Sequence, residues 1–125
     1  MLFTKTVGST NFDDTVKNNN IIILDFWASW CGPCKMFSPI FDKAAAKHRD
    51  IFFGKVNTED EQLLSRALNI RSIPTIMVYK DSTLVFEQSG ALPEAALENL
   101  LTQVKALDMK KVRQEIDQTE KDHEQ

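Results

Sequence analysis

Cys31 and Cys34 are the only cysteines in a chain of 125 residues, and they stand two residues apart in Trp30-Cys31-Gly32-Pro33-Cys34-Lys35. Two thiols at this spacing at the start of a helix lie about one turn apart, close enough for a disulfide to close and reopen with little backbone movement. The apolar run Ile21-Ile22-Ile23-Leu24, closed by Asp25-Phe26-Trp27-Ala28, precedes them. That order reads as a buried strand, a sharp turn and a helix. The unsatisfied amides and positive dipole end of such a helix favour a thiolate at Cys31, which makes it the attacking thiol. Cys34, one turn deeper, is then the resolving thiol. A bridge over so short a span constrains the unfolded chain far less than one closing a long loop, so the pair reads as chemistry rather than as a staple. Zinc needs about four ligands, and His48 and His123 lie in polar stretches without paired spacing, so no metal site is expected.

Asp25 interrupts an otherwise apolar strand. A buried carboxylate without a partner is costly, so its pKa should rise and it should hold a proton near neutrality, in place to accept one from Cys34. The residues leave a second reading open, an aspartate at a strand end satisfied by backbone amides.

The elements that must position these groups follow from periodicity. Leu2 to Val7 alternate weakly as a short strand, after which Ser9 or Thr10 can cap a helix carrying Phe12 and Val16. Ile21 to Trp27 lacks polar alternation and is rich in β-branched residues, as a central strand buried on both faces requires. Beyond Cys34, Phe37, Ile40, Phe41 and Ala44 repeat at three and four, predicting a helix to about Lys47 with a kink at Pro39. Ile51 to Val56 reads as a strand, and Thr58 with Glu61 matches a capping box for a short helix over Leu63 to Leu68. Strands over Thr75–Tyr79 and Thr83–Gln88 are joined by a turn so short that they should pair antiparallel. A last helix starts near Pro93 and buries Leu97, Leu100, Leu101, Val104 and Leu107. The result is an α/β fold, a mixed sheet sandwiched by helices.

At this length, an apolar content of 42% supports one domain core without disulfide staples. The net charge of -3 and the absence of a Lys/Arg cluster argue against a nucleic-acid partner. The N-terminal residues lack a basic start followed by an apolar h-region, and no apolar run approaches the roughly 18 residues of a membrane span. The expected location is the cytoplasm, where thiols stay reduced, with no membrane partner.

Together, Asp25-Phe26-Trp27-Ala28, Trp30-Cys31-Gly32-Pro33-Cys34-Lys35, Pro39, Ile73-Pro74-Thr75 and Gly90-Ala91 resemble the thioredoxin family over about residues 3 to 107. Lys55-Val56-Asn57-Thr58-Glu59 and the segment Ile70 to Met77 are most similar to the bacterial thioredoxin 2 group. Members of that group often carry an N-terminal zinc module, absent here because both cysteines belong to the redox pair. The chain departs from the family in having Ser82 where many members have a hairpin glycine, and in its charged extension from Asp108. The resemblance implies a thioredoxin fold, with a central mixed five-stranded sheet flanked by four helices over residues 1–107. Residues 108–125 would then form a charged extension, helical or disordered.

The resemblance further implies a general protein disulfide reductase without a bound cofactor. Its partners would be protein disulfides and an NADPH-dependent thioredoxin reductase, and it would act as a monomer. Lys55 resembles the lysine that sits near the family's buried aspartate. Trp30, Gly32, Pro33, Ile73, Pro74, Gly90 and Ala91 resemble the family's shallow groove for an extended substrate, with a cis Ile73-Pro74 bond. Trp27 reads as packing, and Met36, Met77, Tyr79 and Phe86 as core or near-core filling. The alternative function is an adaptor or binding subunit of the same fold, docking through its C-terminal tail.

That tail carries Met109, Val112 and Ile116 as an apolar stripe, with Lys111–Glu115, Arg113–Asp117 and Asp117–Lys121 as four-apart pairs. In an unbroken helix the stripe would be rotated by roughly 110° from the Leu97–Val104 face. Either the helix bends near Asp108 and folds the stripe back, or the stripe is left for a partner.

Overall fold

The computed structural model describes residues 3–123. Its elements in chain order are β1 (Thr4–Thr6), α1 (Phe12–Asn18), β2 (Ile21–Trp27), α2 (Gly32–Lys47), β3 (Phe52–Asn57), α3 (Gln62–Ala67), β4 (Thr75–Lys80), β5 (Thr83–Ser89), α4 (Glu94–Ala106) and α5 (Met109–His123). They form one five-stranded sheet in the order β1-β3-β2-β4-β5. β3 runs parallel to both β1 and β2, and the ladders β2–β4 and β4–β5 are antiparallel. This is the mixed sheet expected, with the apolar run Ile21–Trp27 at its centre.

Alternation along β2 divides the core into two layers. Ile21 and Ile23 pack with Phe37, Phe41, Ala44, Leu97 and Leu101 of α2 and α4. Ile22, Leu24 and Phe26 face the other way, onto Val7, Val56, Met77 and the α1 and α3 side. Because side chains alternate with period two, Asp25 shares the face of Ile23 and points toward α2. Lys55 is its register partner on β3 and points to the same side. On the opposite face Gly54 lies beneath Leu24 and Val7, where a Cβ would come within 2.7 and 2.8 Å of their side chains.

Three local expectations change. Helix α1 begins at Phe12 with Asn11 at its cap position. The Asn11 amide turns back instead of into the helix, accepting from Gly8 N–H at 2.8 Å and donating to the Thr6 carbonyl at 3.1 Å. The Thr58/Glu61 capping box does not form: Thr58 Oγ1 donates to the Trp27 carbonyl, and Glu61 accepts from Ser9 N–H. Tertiary partners take both side chains away from the local motif. Met36, read as core filling, is 76% exposed.

Asp81 and Ser82 join β4 to β5 with φ of 52° and 62°, both left-handed, as a two-residue hairpin loop of the primed type requires. The turn is tied to the end of α1: Asp81 N–H donates to the Asn20 carbonyl, Asn20 donates to the Asp81 carboxylate, and Ser82 Oγ donates to the Val16 carbonyl.

Helix α4 ends at Leu107, whose extended backbone turns the chain, and Asp108 then caps α5 by accepting from the amides of Lys110 and Lys111. The helix therefore bends and the stripe folds back, with Met109 buried and Val112 half-buried. Ile116 is still 39% exposed. The expected four-apart pairs are not among the ion pairs of the described residues; Arg113 instead reaches Asp81 in the hairpin at 3.3 Å. Beneath the bend, Lys80 is buried, and its ammonium donates to the carbonyls of Val104, Lys105 and Leu107 at 2.8, 3.0 and 3.0 Å. A cation there satisfies the orphan carbonyls at the negative end of α4. Among the described residues no helix is long and apolar enough to cross a membrane.

Candidate active site

At the C-terminal end of β2 the chain leaves the sheet and enters α2, with Cys31 at the cap position and Pro33 in the first turn. The two sulfurs are joined as a disulfide, with the Cα atoms 5.2 Å apart. The Cys34 amide donates to Cys31 Sγ at 3.2 Å. This is the arrangement that a thiolate on Cys31 needs, a backbone donor at the positive end of a helix. Exposure does not distinguish the two cysteines, at 4% and 3%. Their surroundings do.

Cys31 Sγ lies 3.9 Å from the carbonyl oxygen of Ile73, on the outer side of the site. The Ile73-Pro74 bond is cis. Gly90 N–H donates to the Pro74 carbonyl at 2.8 Å, which draws Gly90 and Ala91 to the same rim. Trp30 is 69% exposed, and Gly32 and Pro33 are exposed beside it. Ala91 is also exposed, Ile73 and Gly90 are half-buried, and Pro74 is buried beneath them. A hollow of about 380 Å³ adjoins them, lined by Trp30, Thr58, Ile70, Arg71 and Ile73.

Cys34 faces inward, onto a cavity of about 310 Å³ that it lines with Asp25, Trp27, Ser38 and Lys55. Asp25 is 1% exposed. Burial pushes its pKa from 3.8 up to about 7, while the Lys55 ammonium pulls it down and the Asp42 carboxylate pushes it up. Asp25 Oδ1 and Trp27 Nε1 have no hydrogen-bond partner in the protein. Both residues line the cavity, but these two atoms themselves are buried. No backbone amide satisfies Asp25 Oδ1, so the strand-end alternative does not describe it.

Lys55 is half-buried, and its ammonium makes two contacts of 2.9 Å, to Asp42 Oδ1 and to Ser38 Oγ. Neither Ser38 nor Asp42 stands out in the sequence. The signal was their spacing: Cys34, Ser38 and Asp42 fall four apart, on one face of α2.

The arrangement provides a disulfide, a backbone amide donating to the sulfur of one cysteine, and a buried carboxylate on the cavity lined by the other. A thioredoxin family model matches residues 3–103. A Streptomyces coelicolor protein described as "Putative thioredoxin 2" is 50% identical over 115 residues, covering 90% of this chain and 86% of that one. The thioredoxin of Haemophilus influenzae is 41% identical over 103 residues, covering 78% and 92%. Among solved structures, Plasmodium falciparum thioredoxin superposes with a TM-score of 0.75 at 33% identity, covering 80% of this chain and 98% of its own. A mutant thioredoxin of Halobacterium salinarum gives 0.77 at 31% identity, covering 84% and 92%. The chain belongs to the thioredoxin family, and its chemistry is thiol–disulfide exchange at the Cys-X-X-Cys pair.

Proposed function

We propose that the protein is a general protein disulfide reductase in which Cys31 attacks, Cys34 resolves and Asp25 accepts the proton of Cys34. The observation that carries this reading is the division of the site: Cys31 Sγ receives an amide hydrogen bond on the groove side, and Cys34 lines the cavity of Asp25. In the dithiol form, the Cys31 thiolate attacks one sulfur of the target disulfide and expels the other as a thiolate, giving a mixed disulfide. Asp25 in its ionised form takes the proton of Cys34, and the resulting thiolate attacks Cys31 Sγ. The Cys31–Cys34 bond closes, the second target sulfur leaves, and two electrons have passed to the target.

The apolar rim of Trp30, Gly32, Pro33, Ile73, Pro74, Gly90 and Ala91 receives the extended segment that carries the target disulfide, with the Ile73 backbone as its hydrogen-bonding edge. Lys55 tunes Asp25 through its charge. Two electrons return from an NADPH-dependent thioredoxin reductase, in the cytoplasm, to a protein acting as a monomer without its own cofactor. Residues 1–107 form the working domain and 108–125 an extension to it.

Cys34→Ser is expected to accumulate mixed disulfides with protein targets, and Cys31→Ser to accumulate none. Alkylation of the reduced protein at neutral pH should modify Cys31 first. Preferential modification of Cys34 would reverse the two roles. Turnover of a protein disulfide with NADPH and a thioredoxin reductase separates this reading from an adaptor of the same fold, which would show no NADPH oxidation.

A further inference from the structure

β2 and β3 place Asp25 and Lys55 side by side on the face that looks at α2. A free lysine there would pair with the carboxylate, hold it ionised and weaken it as a base. The ammonium is not free. It donates a hydrogen bond to Ser38 Oγ at 2.9 Å and forms an ion pair with Asp42 Oδ1, also at 2.9 Å but outside hydrogen-bond geometry, and it makes no ion pair with Asp25, whose Oδ1 is left without a hydrogen-bond partner.

We propose that Ser38 and Asp42 are positioning residues that hold the Lys55 ammonium against α2 and off Asp25, leaving the carboxylate free to serve Cys34. The inference rests on the reading of Asp25 as the proton acceptor. The α2 spacing supports it: Ser38 is one turn beyond Cys34 and Asp42 one turn further, so one helix face carries the resolving thiol and both anchors. Lysine has three donors on a flexible stem and turns to whichever acceptors are placed for it.

The other groups near Asp25 leave Lys55 as the adjustable one. From α2 come Cys34 and Asp42, with Lys35 at the cavity wall. From β4 the register partner is apolar Ile76. The loop after β2 contributes Ser29, whose hydroxyl is engaged by Glu59 at 2.9 Å.

The test is direct titration of the Asp25 carboxyl by carbon NMR in the oxidised full-length protein. Ser38→Ala is the decisive variant, because it changes no charge and suits a helix. The wild-type midpoint is expected near 7. Ser38→Ala should lower it by about half a pH unit, roughly a threefold loss of proton affinity. Asp42→Asn should lower it further, since it also removes a negative charge, and Lys55→Met should raise it. In a Lys55→Met background, Ser38→Ala should have no effect, because Ser38 acts only through the lysine. The pH profile of mixed-disulfide resolution should move with the midpoint. A wild-type midpoint near 7 unmoved by Ser38→Ala would overturn the inference alone, as would a Ser38→Ala shift that persists without Lys55. A wild-type midpoint near the ordinary value of about 4 would overturn the reading of Asp25 and the inference with it.

Discussion

Asp25 makes the protein's stability depend on pH, and the sign follows from its pKa. The folded state holds this proton up to about pH 7, whereas the unfolded chain gives it up near the ordinary value of 3.8. Its contribution is therefore fully present below about pH 4 and is lost as pH rises through 7. A shift of this size corresponds to roughly 4 kcal/mol. Asp25→Asn is expected to leave stability nearly unchanged at pH 3 and to raise it by about 3–4 kcal/mol at pH 8, while slowing the resolving step. Urea unfolding at the two pH values measures the first effect. An equal change at both would show that packing, not ionisation, sets the cost. Asp25 was legible in the sequence because one carboxylate in a seven-residue apolar strand is conspicuous. Ser38 and Asp42 were not, since a serine and an aspartate on a helix are ordinary until the facing lysine is known. Although Cys34 lies one turn deeper in the helix, both cysteines are buried and only their neighbours differ.

Among the elements, strands and long helices were legible wherever an apolar period ran unbroken, and local capping motifs misled wherever a distant partner competed. Glu61 illustrates this: its carboxylate serves the amide of Ser9, fifty-two residues away in sequence, and not its own helix. Lys80 is the opposite case, a lysine at the end of an apolar strand whose expected course is to reach solvent along its stem. It is buried because α4 ends above it and offers three carbonyls. Lys80→Met should leave those acceptors unpaired and destabilise the fold by on the order of 2–3 kcal/mol, with faster hydrogen exchange at the start of α5. Unchanged exchange there would show that the bend holds itself. In β3, Gly54→Ala would drive a methyl into Leu24 and Val7, at a cost of about 1–3 kcal/mol by denaturant unfolding. A neutral result would mean that β1 and β2 yield to the added volume.

For the whole molecule, residues 108–123 touch the rest at the hairpin and through Met109, while the disulfide lies at the other end of β2. Truncation after Leu107 keeps all three carbonyls that hold Lys80. Disulfide reduction should stay within about twofold of wild type, and Tm should fall by about 5–10 °C, as for a loss of 1–2 kcal/mol in a domain of this size. A large fall in turnover would place the extension inside the working domain. The strand order has a further consequence, for folding kinetics. Only β4 and β5 are neighbours in both chain and sheet; every other ladder must close a loop that contains at least a helix. The hairpin can form early, but β2 is enclosed only when β3 and β4 arrive on its two sides, a step of high loop-closure cost. The strand that bears the buried carboxylate is thus one whose enclosure needs two long loops to close. At pH 8, Asp25→Asn should act mainly on the folding arm of a chevron plot, speeding folding while leaving unfolding almost unchanged.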